Sequence, residues 1–455
     1  MKKIQVLVIG GGPAGLLAAS RAAQRGAEVL LLEKNKMTGR KLRITGKGRC
    51  NVTNAGEIRQ FIEEYPGQGR FLYSAFARFF NEQLCALLEA QGVALKTERG
   101  GRIFPVSDSA NEVADALTEY AQQSGVRIWT GTEALRLYFE TDSGGCRVCG
   151  AEIQTKNGKD RIEASTVIVA TGGLSYPLTG STGDGYRWAK QAGHHVTDLQ
   201  PGLVPLETRE SWVSELSGLS LKNVEASLWA GPEDSEICLD RQQGEMLFAH
   251  FGVTGPIILS LSRAYAAAKG KPARLKIDLK PALTAEVLDK RLQRDFVKYQ
   301  KKQLKNALND LLPKALIPVV IQTAELDGES WVSQITREER GRLGKVLKGL
   351  TLTIQGTRPM AEAIITVGGI DIKEIDPKTM ASKKAEGLYF AGEVLDVDGY
   401  TGGYNLQAAF STGWIAGEAA AVQALKIEAK LREVRSLLQA EGPQDRKEED
   451  DDREN

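Results

Sequence analysis

The sequence predicts an α/β protein in which a parallel sheet, covered by helices, is interrupted by a long insert. Three observations lead to this prediction. An apolar, β-branched run at 4–9 is followed at once by glycines. A similar run stands at 166–173, and 387–413 reads as a strand, a glycine-rich turn and a helix. Between them, 196–355 alternates polar and apolar residues, as antiparallel strands do, before it becomes helical.

The composition is that of a globular protein. The 455 residues include 59 basic and 58 acidic side chains, and 42% are hydrophobic. This length predicts two or three domains. A net charge of +1 gives no general attraction to nucleic acid or to membranes, so we expect neither as a partner. Five scattered cysteines do not suit a disulfide framework and favour a cytoplasmic protein.

The first element is a βαβ unit with a dinucleotide-binding pattern. The strand IQVLVI leads into GGGPAG, the helix LLAASRAAQR follows, and EVLLLE forms the second strand. Gly10 permits the tight turn, Gly12 lets the backbone approach a pyrophosphate, and Gly15 allows close helix packing. The amides at the start of the helix then face phosphate oxygens. Strand, glycines, helix and strand in register predict a Rossmann-like domain.

The acid at the end of the second strand narrows the choice of cofactor. Glu33 lies eighteen residues after Gly15, where a carboxylate can accept hydrogen bonds from both hydroxyls of an adenosine ribose. The same charge would repel a 2′-phosphate. The unit therefore favours NAD or FAD over NADP.

The segments 166–173 and 387–413 favour FAD over NAD. We expect the FAD to be bound without a covalent bond. The strand TVIVATGG ends in small residues, and the helix of the C-terminal segment starts near Asn405. That segment would place Gly392, Glu393 and the backbone of 402–407 beside the ribityl chain and the flavin ring. The helix dipole would stabilise negative charge on the reduced ring.

A cationic loop, TGRKLRITGKGRCNVTN, follows the second strand at 38–54. It holds three glycines and five cationic side chains and no acid. Arg40 and Lys41 would neutralise the two phosphates, and the segment 46–51 would bring backbone amides and the Asn51 side chain to the flavin. A solvated basic loop is the alternative interpretation.

Several of these stretches resemble one family. They are the glycine fingerprint, GRKLRITGKGRCNVTN, GRIFPVS at 101–107, ATGGLSYPLTGSTGDGY at 170–186, GEMLFAHFGVTGP at 244–256 and the segment 387–413. From residue 1 to about 425, the sequence is similar to the BaiN-like, or YhiN-like, family of bacterial NAD(P)/FAD-dependent oxidoreductases. The resemblance implies an FAD domain of the two-dinucleotide-fold type, interrupted by an insert domain. Ala249 departs from the pattern, because threonine is expected there.

Motifs and resemblance together predict a set of cofactor-binding residues. They are Gly10, Gly12, Pro13, Ala14, Gly15, Glu33, Lys34, Arg40, Lys41, Gly46, Gly48, Cys50, Asn51, Ala134, Ala170, Thr171, Gly172, Asp184, Gly392, Glu393, Gly403, Tyr404, Asn405 and Leu406. Ala134 is placed in this set because its backbone would pass the adenine.

The same observations predict how the chain is divided. The expected parts are an FAD-binding domain at 1–195 and 356–425, an insert at 196–355 with a small β-barrel at about 196–283 and helices at about 284–348, and a disordered acidic tail at 442–455. One helix, 286–308, carries a basic face. A solvated face and a surface for an anionic partner are the two interpretations of it.

The candidates for catalysis are His250, Tyr404 and Tyr176. His250 lies between two phenylalanines, where a structural histidine and a catalytic one are both compatible with the sequence. If the resemblance holds, the two tyrosines would flank the flavin and donate to a substrate carbonyl, or only pack. No metal-ligand cluster stands out.

Three functions are compatible with the sequence. The first is an FAD oxidoreductase that passes hydride through flavin N5 to an unsaturated small organic or steroid-like substrate. NAD(P)H would be its donor and would dock only transiently, since no second dinucleotide fingerprint is found. The second is an oxidase of a small amine that uses dioxygen. The third is a non-catalytic flavoprotein whose basic helix binds RNA or another protein. No motif fixes the substrate or the oligomeric state.

Overall fold

The computed structural model describes residues 3–143, 145–268 and 270–440. The predicted acidic tail at 442–455 lies outside these residues. Among the residues described, no helix is long and apolar enough to cross a membrane, and no group of histidine, cysteine and acidic side chains could hold a metal ion.

The part of the chain before the insert forms most of a mixed α/β domain. Its strands are β1 (Ile4–Ile9), β2 (Val29–Glu33), β3 (Thr53–Asn54), β4 (Leu95–Thr97), β5 (Arg102–Pro105), β6 (Arg127–Thr130), β7 (Glu133–Asp142), β8 (Gly145–Thr155) and β9 (Gly158–Val169). Its helices are α1 (Pro13–Gln24), α2 (Ile58–Glu63), α3 (Tyr73–Phe76), α4 (Asn81–Ala90), α5 (Ala110–Gln123) and α6 (Asp184–Gln191).

The insert is entered through β10 (Gln200–Gly202). Its strands are β11 (Leu206–Thr208), β12 (Ser220–Ala230), β13 (Ile237–Ala249), β14 (Gly252–Thr254), β15 (Ala273–Asp278) and β16 (Leu350–Thr357). Its helices are α7 (Pro256–Ala267), α8 (Ala285–Lys298), α9 (Leu304–Ala307), α10 (Ile317–Thr323) and α11 (Arg337–Lys348). The chain then returns through β17 (Ile365–Val367), β18 (Leu388–Phe390) and α12 (Tyr404–Ala440).

The central sheet confirms the predicted Rossmann-like fold. Its strand order is β6-β2-β1-β9-β8-β7, and β18 pairs with β9. The pairs β1–β2, β1–β9, β2–β6 and β9–β18 are parallel. Every residue of β1 and β2 is buried, which explains their continuous apolar runs, because helices cover both faces of a parallel sheet.

The insert contains the predicted barrel. Six strands close it in the order β11-β14-β13-β12-β15-β16. Its last strand, β16, follows the helices of the insert, so the barrel extends beyond the stretch 196–283 in which the sequence placed it. The barrel and these helices share one hydrophobic core, separate from that of the sheet domain.

The predicted continuous helix 286–308 is wrong at 299–303, where the structure interrupts it. Helix α8 ends at Lys298, and a short turn leads to α9. Gln303 lies between these helices and forms an isolated β-bridge with Trp331. This tertiary pairing takes the backbone out of the helix, although the apolar spacing of the sequence continues.

Two features fix the insert on the sheet domain. The entering strand β10 pairs antiparallel with the returning strand β17, from Gln200 opposite Val367 to Gly202 opposite Ile365. In addition, Arg263 of α7 forms an ion pair with Asp398, and their side chains are only 15% and 4% exposed. The cleft described below lies next to both features.

Candidate functional site

A cleft of about 340 Å³ runs across the carboxyl ends of the central strands. Most of the predicted cofactor-binding residues line it. They are Gly10, Gly12, Pro13, Ala14, Glu33, Lys34, Arg40, Lys41, Gly46, Asn51, Ala134, Ala170, Thr171, Gly172, Asp184, Gly392, Glu393, Gly403, Asn405 and Leu406. The predicted residues Gly15, Gly48, Cys50 and Tyr404 are outside this lining. Segments far apart in the chain thus meet in one site.

Of the three glycines in the fingerprint, Gly12 leaves space for a ligand, whereas Gly10 and Gly15 leave space for neighbouring backbone. A Cβ atom on Gly12 would meet nothing within 4 Å, whereas one on Gly10 would lie 2.4 Å from the carbonyl oxygen of Ala170. On Gly15 it would lie 1.8 Å from the carbonyl oxygen of Gly10. Gly12 therefore borders open space at the start of α1, and no side chain of the described residues caps that helix.

Glu33 is buried at the end of β2 and braces two turns. Its Oε2 accepts a hydrogen bond of 2.9 Å from the amide of Gly11. Its Oε1 accepts bonds of 2.8 and 2.7 Å from the backbone and side-chain amides of Asn35. Because a carboxylate offers about four lone-pair positions and three are occupied, about one further hydrogen bond from a ligand can be accepted.

The cationic loop folds back on itself through left-handed turns. Gly46, Lys47 and Cys50 have φ angles of 58°, 59° and 58°. The Cys50 amide donates to the carbonyl of Thr45 at 3.0 Å. Burial raises the pKa of the Cys50 thiol to about 12, so it is a protonated, packed group at neutral pH.

Two buried oxygens of residues that line the cleft have no hydrogen-bond partner among the described residues. They are Asn51 Oδ1 and Thr171 Oγ1, neither of which forms a hydrogen bond with any of the described residues. Both residues line the cleft. Buried polar atoms in folded proteins are almost always paired. An isoalloxazine ring carries N–H and carbonyl groups, so a bound flavin fits Asn51 Oδ1, whereas Thr171 Oγ1 faces Gly185 of α6, where a Cβ atom would lie 2.4 Å from it.

The two cations predicted for the phosphates are held by protein groups. Lys41 Nζ donates to Glu393 Oε2 at 2.7 Å and to Ser175 Oγ at 2.6 Å. Arg40 Nη1 donates to Asn35 Oδ1 at 2.9 Å. Both cations still line the cleft, and Lys41 also neutralises Glu393 there.

None of the three predicted catalytic side chains is in the lining of the cleft. His250 is exposed in the turn after β13, with its ring 5.0 Å from that of Phe251. The Tyr404 ring packs edge-on against Phe61 at 4.9 Å. Tyr176 has a φ angle of 51° at the start of a short 3₁₀ turn.

A second wall of the cleft, which no sequence motif indicated, is formed where the sheet domain meets the insert. Its hydrophobic residues are Leu72, Leu203, Ile364, Ile365, Leu395 and Val397, and they adjoin Tyr400. Leu203 and Ile364 lie just outside the β10–β17 pairing. The weak signal for this wall was the return of the chain to the sheet domain near residue 360, since such crossings often bind ligands.

Comparison with known proteins agrees with this architecture. The family model described as the HI0933-like protein Rossmann domain matches residues 4–419. The chain is 31% identical over 419 residues to the 3-dehydro-bile acid delta(4,6)-reductase of Clostridium scindens, covering 91% of this chain and 98% of that protein. It is also 31% identical over 421 residues to the ribosomal RNA dihydrouridine synthase of Escherichia coli, covering 91% and 97%.

The fold itself recurs in solved structures. The FrdA chain of E. coli quinol fumarate reductase superimposes with a TM-score of 0.50 at 17% sequence identity. The match covers 98% of this chain and 76% of that one. At this level of identity, the likeness concerns the fold alone.

Proposed function

Because the chain belongs to the HI0933-like Rossmann-domain family of FAD-dependent oxidoreductases, we propose that it reduces a carbon–carbon double bond conjugated with a carbonyl group. The substrate would be an unsaturated small organic or steroid-like molecule, and NAD(P)H would be the donor. The observation that carries this proposal is the joining of a glycine-rich cleft to the hydrophobic wall at Leu203, Ile364 and Val397.

The names of the relatives support this reaction class. One is a reductase of 3-dehydro-bile acids, and another makes dihydrouridine in ribosomal RNA. A dihydrouridine differs from uridine by the saturation of one ring double bond next to a carbonyl. Both names therefore describe hydrogen addition to a conjugated double bond, on very different substrates.

The chain's own residues would hold the cofactor and keep water away. When bound, FAD supplies hydride chemistry at its N5 atom. Gly12 and the free amides of α1 suit the pyrophosphate, Glu33 suits the ribose, and Asn51 suits the flavin edge. The buried Leu203 and Ile365 would exclude water from the reacting face of the substrate.

A uracil base in RNA is the second candidate substrate. Two relatives carry the name ribosomal RNA dihydrouridine synthase, which contests the expectation that nucleic acid is not a partner. The basic face of the insert gives only modest support. Lys298 pairs with Asp310 at 3.1 Å, and Lys305 pairs with Glu329, so part of its charge is neutralised within the protein.

Anaerobic reduction of the purified holoprotein tests the proposal. NADH or NADPH should bleach the flavin absorbance, and a conjugated enone should restore it while gaining two hydrogens by mass. Bleaching by a small amine, with reoxidation by dioxygen alone, would instead identify an amine oxidase. Failure of every enone, steroid and uracil-containing RNA to restore the absorbance would contradict the proposal.

A further inference from the structure

The hydroxyl group of Tyr400, a residue of the cleft lining, forms a hydrogen bond with the insert. Tyr400 lines the cleft beside Val397 and Leu395, and it is half-buried. Its position is rigid, because its amide donates to the Glu64 carbonyl at 3.0 Å and its carbonyl accepts from the Asn405 side chain at 3.3 Å. This tyrosine precedes the glycines that approach the flavin end.

The single proton of the Tyr400 hydroxyl already takes part in a hydrogen bond with a residue of the insert. The hydroxyl donates to Asp240 Oδ2 at 3.0 Å. Burial and the neighbouring Asp240 raise the pKa of Tyr400 to about 12, so the phenol is protonated at neutral pH. Its oxygen then has only lone pairs left for a ligand.

Asp240 is directed at Tyr400 by an irregularity in the barrel. The β12–β13 register shifts at this point, where Leu228 is opposite Asp240 and Trp229 is opposite Cys238. Such a bulge turns a side chain out of the regular ladder. The Asp240 carboxylate is also held by the amide of Arg241 at 2.7 Å. The aspartate is therefore a fixed acceptor.

We infer that the substrate carries a hydrogen-bond donor, an N–H or O–H, beside its conjugated double bond, and that Tyr400 accepts this bond while Asp240 positions Tyr400. The inference rests on the proposed function and specifies its substrate class. A uracil ring, with an N–H next to its carbonyl groups, belongs to this class. A plain enone ring offers only acceptors, so it would bind without this additional bond and therefore more weakly.

The test uses matched ligands and the oxidised, FAD-loaded protein. The six-membered α,β-unsaturated lactam and its N-methyl derivative differ only in the N–H group. Binding is followed by the change in flavin absorbance, which does not depend on turnover. We expect the N–H lactam to bind roughly three- to tenfold more tightly, the range expected for one net hydrogen bond.

Three variants assign the preference to this pair of residues. Tyr400→Phe should abolish the difference between the two lactams. Asp240→Asn should also remove it, since the asparagine amide can donate to the phenol oxygen and release the phenol proton toward the cleft. Asp234→Asn, an exposed change on the same hairpin, should leave the preference intact. FAD content and circular dichroism confirm that each variant is folded.

The possible outcomes separate this inference from the proposed function. Equal affinity for the two lactams, or a preference that persists in Tyr400→Phe, overturns the inference even if the reduced protein still reduces cyclohexenone. A lactam preference that depends on Tyr400, together with no reduction of any conjugated carbonyl compound, supports the inference and overturns the proposed function instead.

Discussion

At the scale of single residues, Asn51 is the most informative position. Its buried Oδ1 has no partner among the described residues, and an unsatisfied buried acceptor costs about 1–3 kcal/mol. A flavin N–H that donates to this atom would remove the cost. The sequence pointed to Asn51 only through its place in the cationic loop, and the geometry adds a direction to the expected effect.

Asn51→Ala should therefore act in opposite directions on the two forms of the protein. The FAD-free form should be as stable as the parent or more stable, because the unsatisfied oxygen is gone. The FAD-loaded form should keep its cofactor, with roughly tenfold weaker affinity for one lost hydrogen bond, and with a shifted visible spectrum and reduction rate. Equilibrium FAD titration, thermal unfolding of both forms and anaerobic reduction measure these effects.

Ser165→Ala provides the control for this change. Ser165 Oγ is likewise buried without a partner among the described residues, but it is outside the lining of the cleft. Its removal should leave FAD affinity and the spectrum unchanged. An Asn51→Ala protein with the parent's spectrum, reduction rate and affinity would place the flavin elsewhere.

The position of a residue could be predicted where it depends on local spacing, and was missed where it depends on a distant partner. Gly12 and Glu33 could be placed in the cleft because the βαβ pattern fixes their positions. Tyr400 was missed although its motif was read. Its hydrogen-bond partner, Asp240, is 160 positions away, and no periodicity of the sequence joins the two.

At the scale of elements, the glycine-rich start of α1 contains one glycine that we expect to matter for cofactor binding and another that we expect to matter for folding. Gly12 has extended backbone angles of −82° and −174°, which alanine also adopts. A methyl group there would project into the cleft. A methyl group at Gly15 would instead collide with the carbonyl of Gly10.

Gly12→Ala should consequently weaken FAD binding, whereas Gly15→Ala should lower the stability of the fold. The first should fold with the parent's unfolding free energy and lose at least about tenfold in FAD affinity. The second should lose about 1–3 kcal/mol or more of stability, because overpacking displaces backbone. Urea unfolding without FAD and FAD titration distinguish them. A Gly12→Ala protein that binds FAD as the parent does would contradict the assignment of the pyrophosphate to this turn.

Elements were predictable from the sequence when one local pattern defined them. The strands β1 and β2 and the helix α1 follow from apolar periodicity and glycine spacing. The end of α8 does not, because the bridge between Gln303 and Trp331 is a tertiary contact. The sixth barrel strand was missed for a similar reason, since it is separated from the other five by four helices.

At the scale of the whole molecule, the Arg263–Asp398 pair joins the insert to the sheet domain. Arg263 also donates to the Pro66 carbonyl at 3.2 Å. Removing one partner of a buried pair leaves the other charge uncompensated, which costs about 3–5 kcal/mol. No sequence pattern predicted this contact, because the two residues belong to different domains.

Asp398→Ala should thus destabilise the protein by about 3–5 kcal/mol and uncouple the two domains. We expect the barrel and the sheet domain of the variant to unfold in separate transitions, measured by calorimetry. Glu329→Gln removes an exposed pair with Lys305 and should change stability by no more than about 0.5 kcal/mol. Equal effects of the two variants would show that the buried pair does not hold the domains together.

The packing of α12 on α1 has a consequence for how the chain folds during its synthesis. A Cβ atom on Gly413 or Gly417 would lie 2.2 or 2.1 Å from a carbonyl oxygen of α1, so α12 closely covers that helix. Yet 234 residues separate Val169, the end of β9, from Tyr404, the start of α12. At roughly 5–20 residues per second, a nascent chain would leave the α1 surface uncovered for about 10–50 s, and the barrel can close only late in this interval, after β16 has been made. We expect this exposed apolar face to be a target for chaperones during the interval.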